Sequence, residues 1–164
     1  MTRPVLREKL DGAPGDQLGI RLWLRLLSCT MVIEKRLQRR LAEQFSTTLP
    51  RFDILAALDR SQGGMMMSEL SRALLVSNGN VTALIKTLVR DGYVTITASP
   101  SDRRASIVEI TATGHAHFAD LAAAHHGWLE AMLDGVSREQ REALFDLLGA
   151  LKASIAADRS GEQA

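Results

Sequence analysis

Apolar positions recur at helical spacing, switch to strand spacing, and return to helical spacing towards the end of the chain. The run LGIRLWLRLLSCTMVIEKRLQRRLAEQF is helix-forming. Its first half, through Ile33, is apolar around most of its circumference; the second keeps only the stripe Ile33, Leu37 and Leu41. That pattern predicts a helix that begins buried, by neighbours or by a second chain, and ends on the surface. Thr48 is a candidate cap and Pro50 suits a first turn, so a second helix carries Leu49, Phe52, Leu55 and Leu58 until Ser61-Gln-Gly-Gly64 breaks it. A short third helix holds Glu69, Leu70, Ala73 and Leu74, and the joint Val76-Ser77-Asn78 leads to a fourth. There Ser77 is the expected N-cap, Val81, Leu84, Ile85, Leu88 and Val89 form one face, and Gly92 follows the last turn.

The period then changes to two. Val94, Ile96 and Ala98 alternate with threonines, a polar turn follows from Ser99 to Arg104, and Val108 and Ile110 alternate on the return. This predicts a β-hairpin with an arginine-bearing tip. Thr111 opens a fifth helix with the stripe Phe118, Leu121, Ala122, His125, Trp128, Leu129, Met132 and Leu133, which Gly135 ends. Ser137-Arg-Glu-Gln140 is a capping box for a sixth helix, striped by Leu144, Leu147, Leu148, Leu151 and Ile155. The expected fold class is mainly α with a small β-hairpin. Residues 1–15 form a loose arm, 16–46 and 112–157 a helical dimerisation lobe, 47–111 a winged helix-turn-helix lobe, and 158–164 a frayed tail.

Composition narrows the class. The chain has 164 residues, 46% hydrophobic and 24% charged, which excludes wholesale disorder. No apolar run reaches membrane-spanning length, so no membrane partner is expected. The N-terminal stretch lacks the apolar core of a signal peptide. Cys29 is the single cysteine, so no intramolecular disulfide forms, and the expected home is cytoplasmic. No nucleophile elbow, phosphate-cradling glycine loop or metalloprotease helix is present, so neither enzyme activity nor a cofactor is expected. His115, His117, His125 and His126 lack an i, i+4 pair and a cysteine companion, which argues against zinc.

A net charge of +1 does not advertise nucleic acid, so the case for DNA rests on placement. A helix entering a major groove needs one apolar face to seat it and one small polar face to reach base edges. Asn78, Asn80, Thr82 and Lys86 supply the second face, next to Ser77 at the helix start. Arg103 and Arg104 at a hairpin tip, beside Asp102, suit the negative potential of a minor groove. The rival reading, a solvated polar face, explains the fourth helix alone but not its order between a short helix and an arginine-tipped hairpin. A helical adaptor without DNA binding fails on the same hairpin. Residues 34–51 add Lys35, Arg36, Arg39, Arg40 and Arg51 against Glu34 and Glu43. The weak overall excess makes two copies necessary, since affinity scales with phosphates neutralised.

The segments LPRFDILAAL, SNGNVTALIKTLVRDGYV and SDRRASIVEITATG resemble the MarR family of bacterial transcription regulators, over about residues 18–155. The resemblance implies a homodimer on a pseudo-palindromic operator, non-catalytic, with Asp102 orienting the wing and Arg104 entering the minor groove. Ala83 and Thr87 stand where many relatives carry arginine, and Met66 where a capping threonine is usual, which affects the operator sequence more than the fold. RLWLRLLSCT and AAAHHGWL are similar to the branch answering to hydroxycinnamates or their CoA thioesters. The implied effector is a small aromatic carboxylate or its CoA thioester, acting on a repressor. Arg21, Arg25 and Ser28 share one sector of the first helix, where guanidinium groups would take a carboxylate; Trp23, His125 and Trp128 are candidate walls. The rival is a solvated strip beside core tryptophans. Cys29 offers a thiol-based redox alternative, but its neighbours Leu26, Leu27, Met31, Val32 and Ile33 favour a buried, inert thiol.

Overall fold

Residues 17–61, 63–74, 78–98 and 106–157 are described in the computed structural model. In chain order they form α1 (Leu18–Phe45), α2 (Leu49–Arg60), β1 (Met65–Met66), α3 (Met67–Ala73), α4 (Asn78–Arg90), β2 (Val94–Ala98), β3 (Ser106–Ile110), α5 (Ala112–Leu133) and α6 (Arg138–Ala157). This is a mainly helical fold with a small sheet, in the winged helix-turn-helix order. Two compact units divide between His126 and Gly127.

The first unit centres on α2 and α4. Ile54, Leu55 and Leu58 of α2, Leu70 of α3, and Val81, Ile85 and Leu88 of α4 are buried, joined by Leu41, Val108 and Leu121. The i, i+3, i+4 recurrence explains why one face of each helix disappears into this core. Truncating one such residue, for instance Ile85→Ala, costs about 2–5 kcal/mol by lost burial and the cavity left behind.

Within one chain, α1 is covered mainly in its second half. Leu24 is the one buried residue of its first half, while Leu37 and Leu41 bury in the second. Leu18, Ile20, Leu22, Trp23 and Met31 are exposed, Leu18 at 75%. The apolar character was read correctly, but within one chain it is uncovered. Cys29 is likewise exposed, so the buried-thiol reading is corrected: apolar sequence neighbours on a helix point in all directions and do not cover it. α1 ends at Ser46, whose positive φ of 51° lets its amide and that of Thr47 reach back to the carbonyls of Ala42 and Leu41.

Thr48 occupies the N-cap of α2 without a side-chain capping bond. The Leu49 amide instead donates to Gln38 Oε1 of α1 at 2.9 Å, so a neighbouring helix satisfies an orphan donor that the local threonine leaves open. Met66 precedes α3, and its amide donates to Glu69 Oε2 at 2.7 Å. That supplies the acidic half of a capping box where methionine cannot supply the hydroxyl half.

The hairpin pairs Val94 with Ile110, Ile96 with Val108 and Ala98 with Ser106. β1 adds an unexpected third strand, pairing Met65 with Val108 and Met66 with Ile107, in the order β1-β3-β2. On β2 only Val94 is buried, and Ile96 is 46% exposed. β3 stays with the core through Val108, whereas β2 leaves it after Val94.

The second unit holds the end of α5 and all of α6. Ser137 and Gln140 form the expected capping box, with bonds of 2.9 and 3.3 Å. Arg141 fastens the corner, donating to the carbonyls of Val136 and Leu133 at 3.0 and 2.8 Å and pairing with Glu130 at 2.6 Å. No residue of α6 is buried.

Candidate nucleic-acid interface

α4 spans thirteen residues, about 20 Å at the helical rise. It packs on α2, α3 and β2, with Val81, Ile85 and Leu88 fully inside. The opposite face presents Asn80, Thr82, Ala83 and Lys86 to solvent. Amides and hydroxyls are short donors and acceptors suited to base edges, and lysine to phosphates or guanine. Thr87 is turned inward on its own helix, donating to the Ala83 carbonyl at 3.1 Å. Asn78 begins the helix. Ser77, Asp102, Arg103 and Arg104 lie outside the described residues, as does the hairpin turn itself.

The C-terminal end of α4 is tied down by local backbone bonds and by one ion pair remote in sequence. After α4, the Gly92 amide bonds the Val89 carbonyl at 3.0 Å and the Tyr93 amide bonds the Leu88 carbonyl at 2.9 Å. This is the paired C-terminal motif that a residue with positive φ permits, and Gly92 has φ 78°. Arg51 of α2 pairs with Asp91 at the end of α4, and Arg90 lies 3.3 Å from the same carboxylate. Burial alone would raise the Asp91 carboxyl; the two arginines outweigh it and hold it below the ordinary carboxylate value. The Arg51 Nε is buried without a hydrogen-bond partner among the described residues.

The wing root is locked to α5. Thr111 Oγ1 donates to the Gly92 carbonyl at 2.8 Å and accepts from the Gly114 amide at 2.9 Å, which caps α5. Tyr93 stacks on His117, centroids 4.2 Å apart and rings 6° from parallel. A Cβ on Gly114 would collide with the Tyr93 carbonyl and the Ile110 side chain. Burial, then the Arg51 charge, lowers the His117 pKa against an opposing effect of Asp120.

The residues expected to hold an effector fall in both units, Arg21, Trp23, Arg25, Ser28 and His125 in the first and Trp128 in the second. Arg21, Trp23 and Arg25 lie exposed along α1, and Ser28 donates to the Leu24 carbonyl of its own helix at 2.8 Å. His125 stacks on Phe52 at 4.5 Å and lines a cleft with Phe52, Asp53 and Arg60; burial, with His126 beside it, lowers its pKa. Trp128 is buried. Sequence reasoning missed the pairing of Arg51 with Asp91, the stacking of Tyr93 on His117, and Asp53 altogether. The run Arg90-Asp91-Gly92-Tyr93, where a charge pair meets a helix-ending glycine, hints at Asp91 and Tyr93. Among the described residues no cluster of three metal-ligating side chains occurs, and no helix is long and apolar enough to cross a membrane.

Known proteins share this arrangement. A model of the MarR family matches residues 45–105. The transcriptional activatory protein BadR of Rhodopseudomonas palustris is 35% identical over 100 residues, covering 60% of this chain. The chain spans only 57% of that curated relative's length. A MarR family regulator from Silicibacter pomeroyi is 34% identical over 84% of this chain and 96% of its own, with a TM-score of 0.70. Sco3205 of Streptomyces coelicolor, solved in complex with DNA, shares the fold at 18% identity, with a TM-score of 0.77 over 92% of this chain and 95% of its own. With 34% identity to a MarR family regulator over 96% of that protein's length, the chain belongs to the MarR family of transcription regulators.

Proposed function

We propose that the protein binds a pseudo-palindromic DNA operator as a homodimer and regulates transcription without catalysing a reaction. The observation that carries this is α4, whose apolar face is buried while Asn80, Thr82 and Lys86 are exposed on the opposite face. Ser77, Asn78, Asp102, Arg103 and Arg104 complete the proposed contacts. Salt-dependent duplex binding tests the reading. Arg104→Ala should weaken operator binding by about 1–3 kcal/mol, and Asn80→Ala should change which operator variants are preferred. Unchanged affinity of the Arg104 variant at moderate salt would sink the wing assignment.

Residues 16–46 and 112–157 are proposed to build the dimerisation lobe. In support, α1 and α6 each expose a run of large apolar side chains that a soluble monomer rarely leaves open. The effector is proposed to be a small aromatic carboxylate or its CoA thioester, with Arg21 and Arg25 taking the acid and Ser28, Trp23, His125 and Trp128 near it. It can release DNA only by binding the free dimer better than the bound one. Arg25→Ala should therefore blunt the response to hydroxycinnamates and leave operator affinity nearly intact. No binding tighter than about millimolar in calorimetry would remove this effector class.

Repression is the primary reading. The similarity to BadR, an activatory protein, favours activation as a second: loss of the protein would then lower transcription from its operator instead of raising it. The exposure of Cys29 favours a thiol-based alternative, in which oxidant releases the operator and Cys29→Ser abolishes that response.

A further inference from the structure

Asp53 sits on α2 between two clefts and lines both. The smaller, about 370 Å³, is walled by Pro50, Leu74, Ala83 and Leu84, with Asn80 among its lining. The larger, about 600 Å³, includes Phe52, Arg60 and His125. Asp53 is half-buried and makes no hydrogen bond or ion pair with any described residue. Burial, with Glu34 of α1 adding like charge, raises its carboxyl above the ordinary value. Arg60 lines only the larger cleft and lies seven residues along α2, about 10 Å away at the helical rise. A half-buried carboxylate that no described donor satisfies gains from a ligand that brings both a donor and a positive charge.

We infer that the smaller cleft is a binding site for a small amphipathic amine, its ammonium on the Asp53 carboxylate and its apolar body against Pro50, Leu74, Ala83 and Leu84. The size suits a compact ligand, and the described lining has the composition of a ligand site: mostly apolar, with Asp53 as its one charged group to orient the guest. The sign of that charge separates this site from Arg21 and Arg25, where an anion is proposed. Because Asn80 lines the cleft, an occupant lies against the reading helix and competes with its use. That consequence rests on the DNA-binding reading, whereas the binding itself does not.

Calorimetry at neutral pH tests it, using 2-phenylethylamine and, as an anion of similar size, 3-phenylpropanoate. The amine should bind the wild-type chain at least about tenfold more tightly than the anion, and Asp53→Asn should weaken the amine by about the same factor. Asp53→Asn keeps the side chain's shape and removes a charge that burial disfavours, so folding is expected to survive; circular dichroism checks this. Ala83→Leu, which fills the smaller cleft, should also weaken the amine. Absence of amine binding to folded wild-type protein, equal binding of amine and anion, or unchanged amine affinity in Asp53→Asn each overturns the site. Full amine affinity in Ala83→Leu overturns the choice of cleft. A chain that takes the amine but no duplex DNA would keep this site and reject the DNA reading.

Discussion

Asp91 accepts from Arg51 and Arg90, whereas Asp53 accepts from no described neighbour. Their pKa values move in opposite directions, lowered for Asp91 and raised for Asp53. A lowered carboxyl stabilises the fold above its unfolded pKa, and that stability is lost as pH falls through the folded value; a raised one is a penalty at neutral pH that protonation relieves. Asp53→Asn should therefore raise the thermal midpoint at pH 7, and Asp91→Asn should lower it, with both differences shrinking towards pH 3. The two lowered histidines act on a higher window. His117 and His125 are held neutral by burial and stack on Tyr93 and Phe52. Their contribution is present at pH 7 and lost as pH drops below the ordinary imidazole value of 6.5. Denaturant midpoints measured from pH 7.5 to 5 should fall, and His117→Gln should flatten part of that slope. An identical slope in the variant would show that His117 is not one of the groups responsible.

At the scale of elements, the joints between α4, the hairpin and α5 decide how the reading helix is presented. Gly114 lets the first turn of α5 press on the Tyr93 carbonyl, where any side chain would strike backbone. Gly114→Ala should cost about 1–3 kcal/mol, the usual penalty for overpacking. It should weaken operator binding as well, because the wing root would have to shift. A variant with the wild-type denaturation midpoint would contradict the geometry. The ITATG run stands out in the sequence, and its threonine is legible as a cap. The reason for its glycine is not legible, since the colliding atom belongs to Tyr93, twenty-one residues earlier. β1 was illegible for a similar reason: three consecutive methionines carry no strand period, and Met65–Met66 is extended only because β3 offers an open edge.

For the molecule as a whole, the uncovered apolar surface is the dominant fact. Phe145 is 78% and Leu147 68% exposed on α6, with Leu144 and Ile155 beside them. Burying such side chains is worth roughly 1.5–3 kcal/mol each, so a second copy is the economical cover. Substituting Leu147 and Leu151 together by Lys should yield monomers by light scattering, with operator affinity falling steeply because each monomer neutralises few phosphates. A folded double variant that remains dimeric would refute the interface. Phe145 lies outside the stripe drawn from periodicity, yet it is the most exposed large apolar residue of α6.

Local order was carried by the sequence alone: helix faces, caps at Thr111 and Ser137, the glycine stop at Gly92 and the hairpin register all follow from spacing within a few residues. The polar face of α4 was legible for the same reason, because a helix sorts its side chains by a fixed period. Tertiary structure decided everything that depends on which surfaces meet. It put Gln38 on the Leu49 amide, Arg51 on Asp91, His117 on Tyr93 and His125 on Phe52, and it left Asp53 between two clefts with no hydrogen-bond partner among the described residues. It also left the first half of α1 mostly uncovered within one chain, since a period shows which residues are apolar but not what covers them. Contacts between distant segments are set by packing of whole elements, and no local pattern in the chain encodes them.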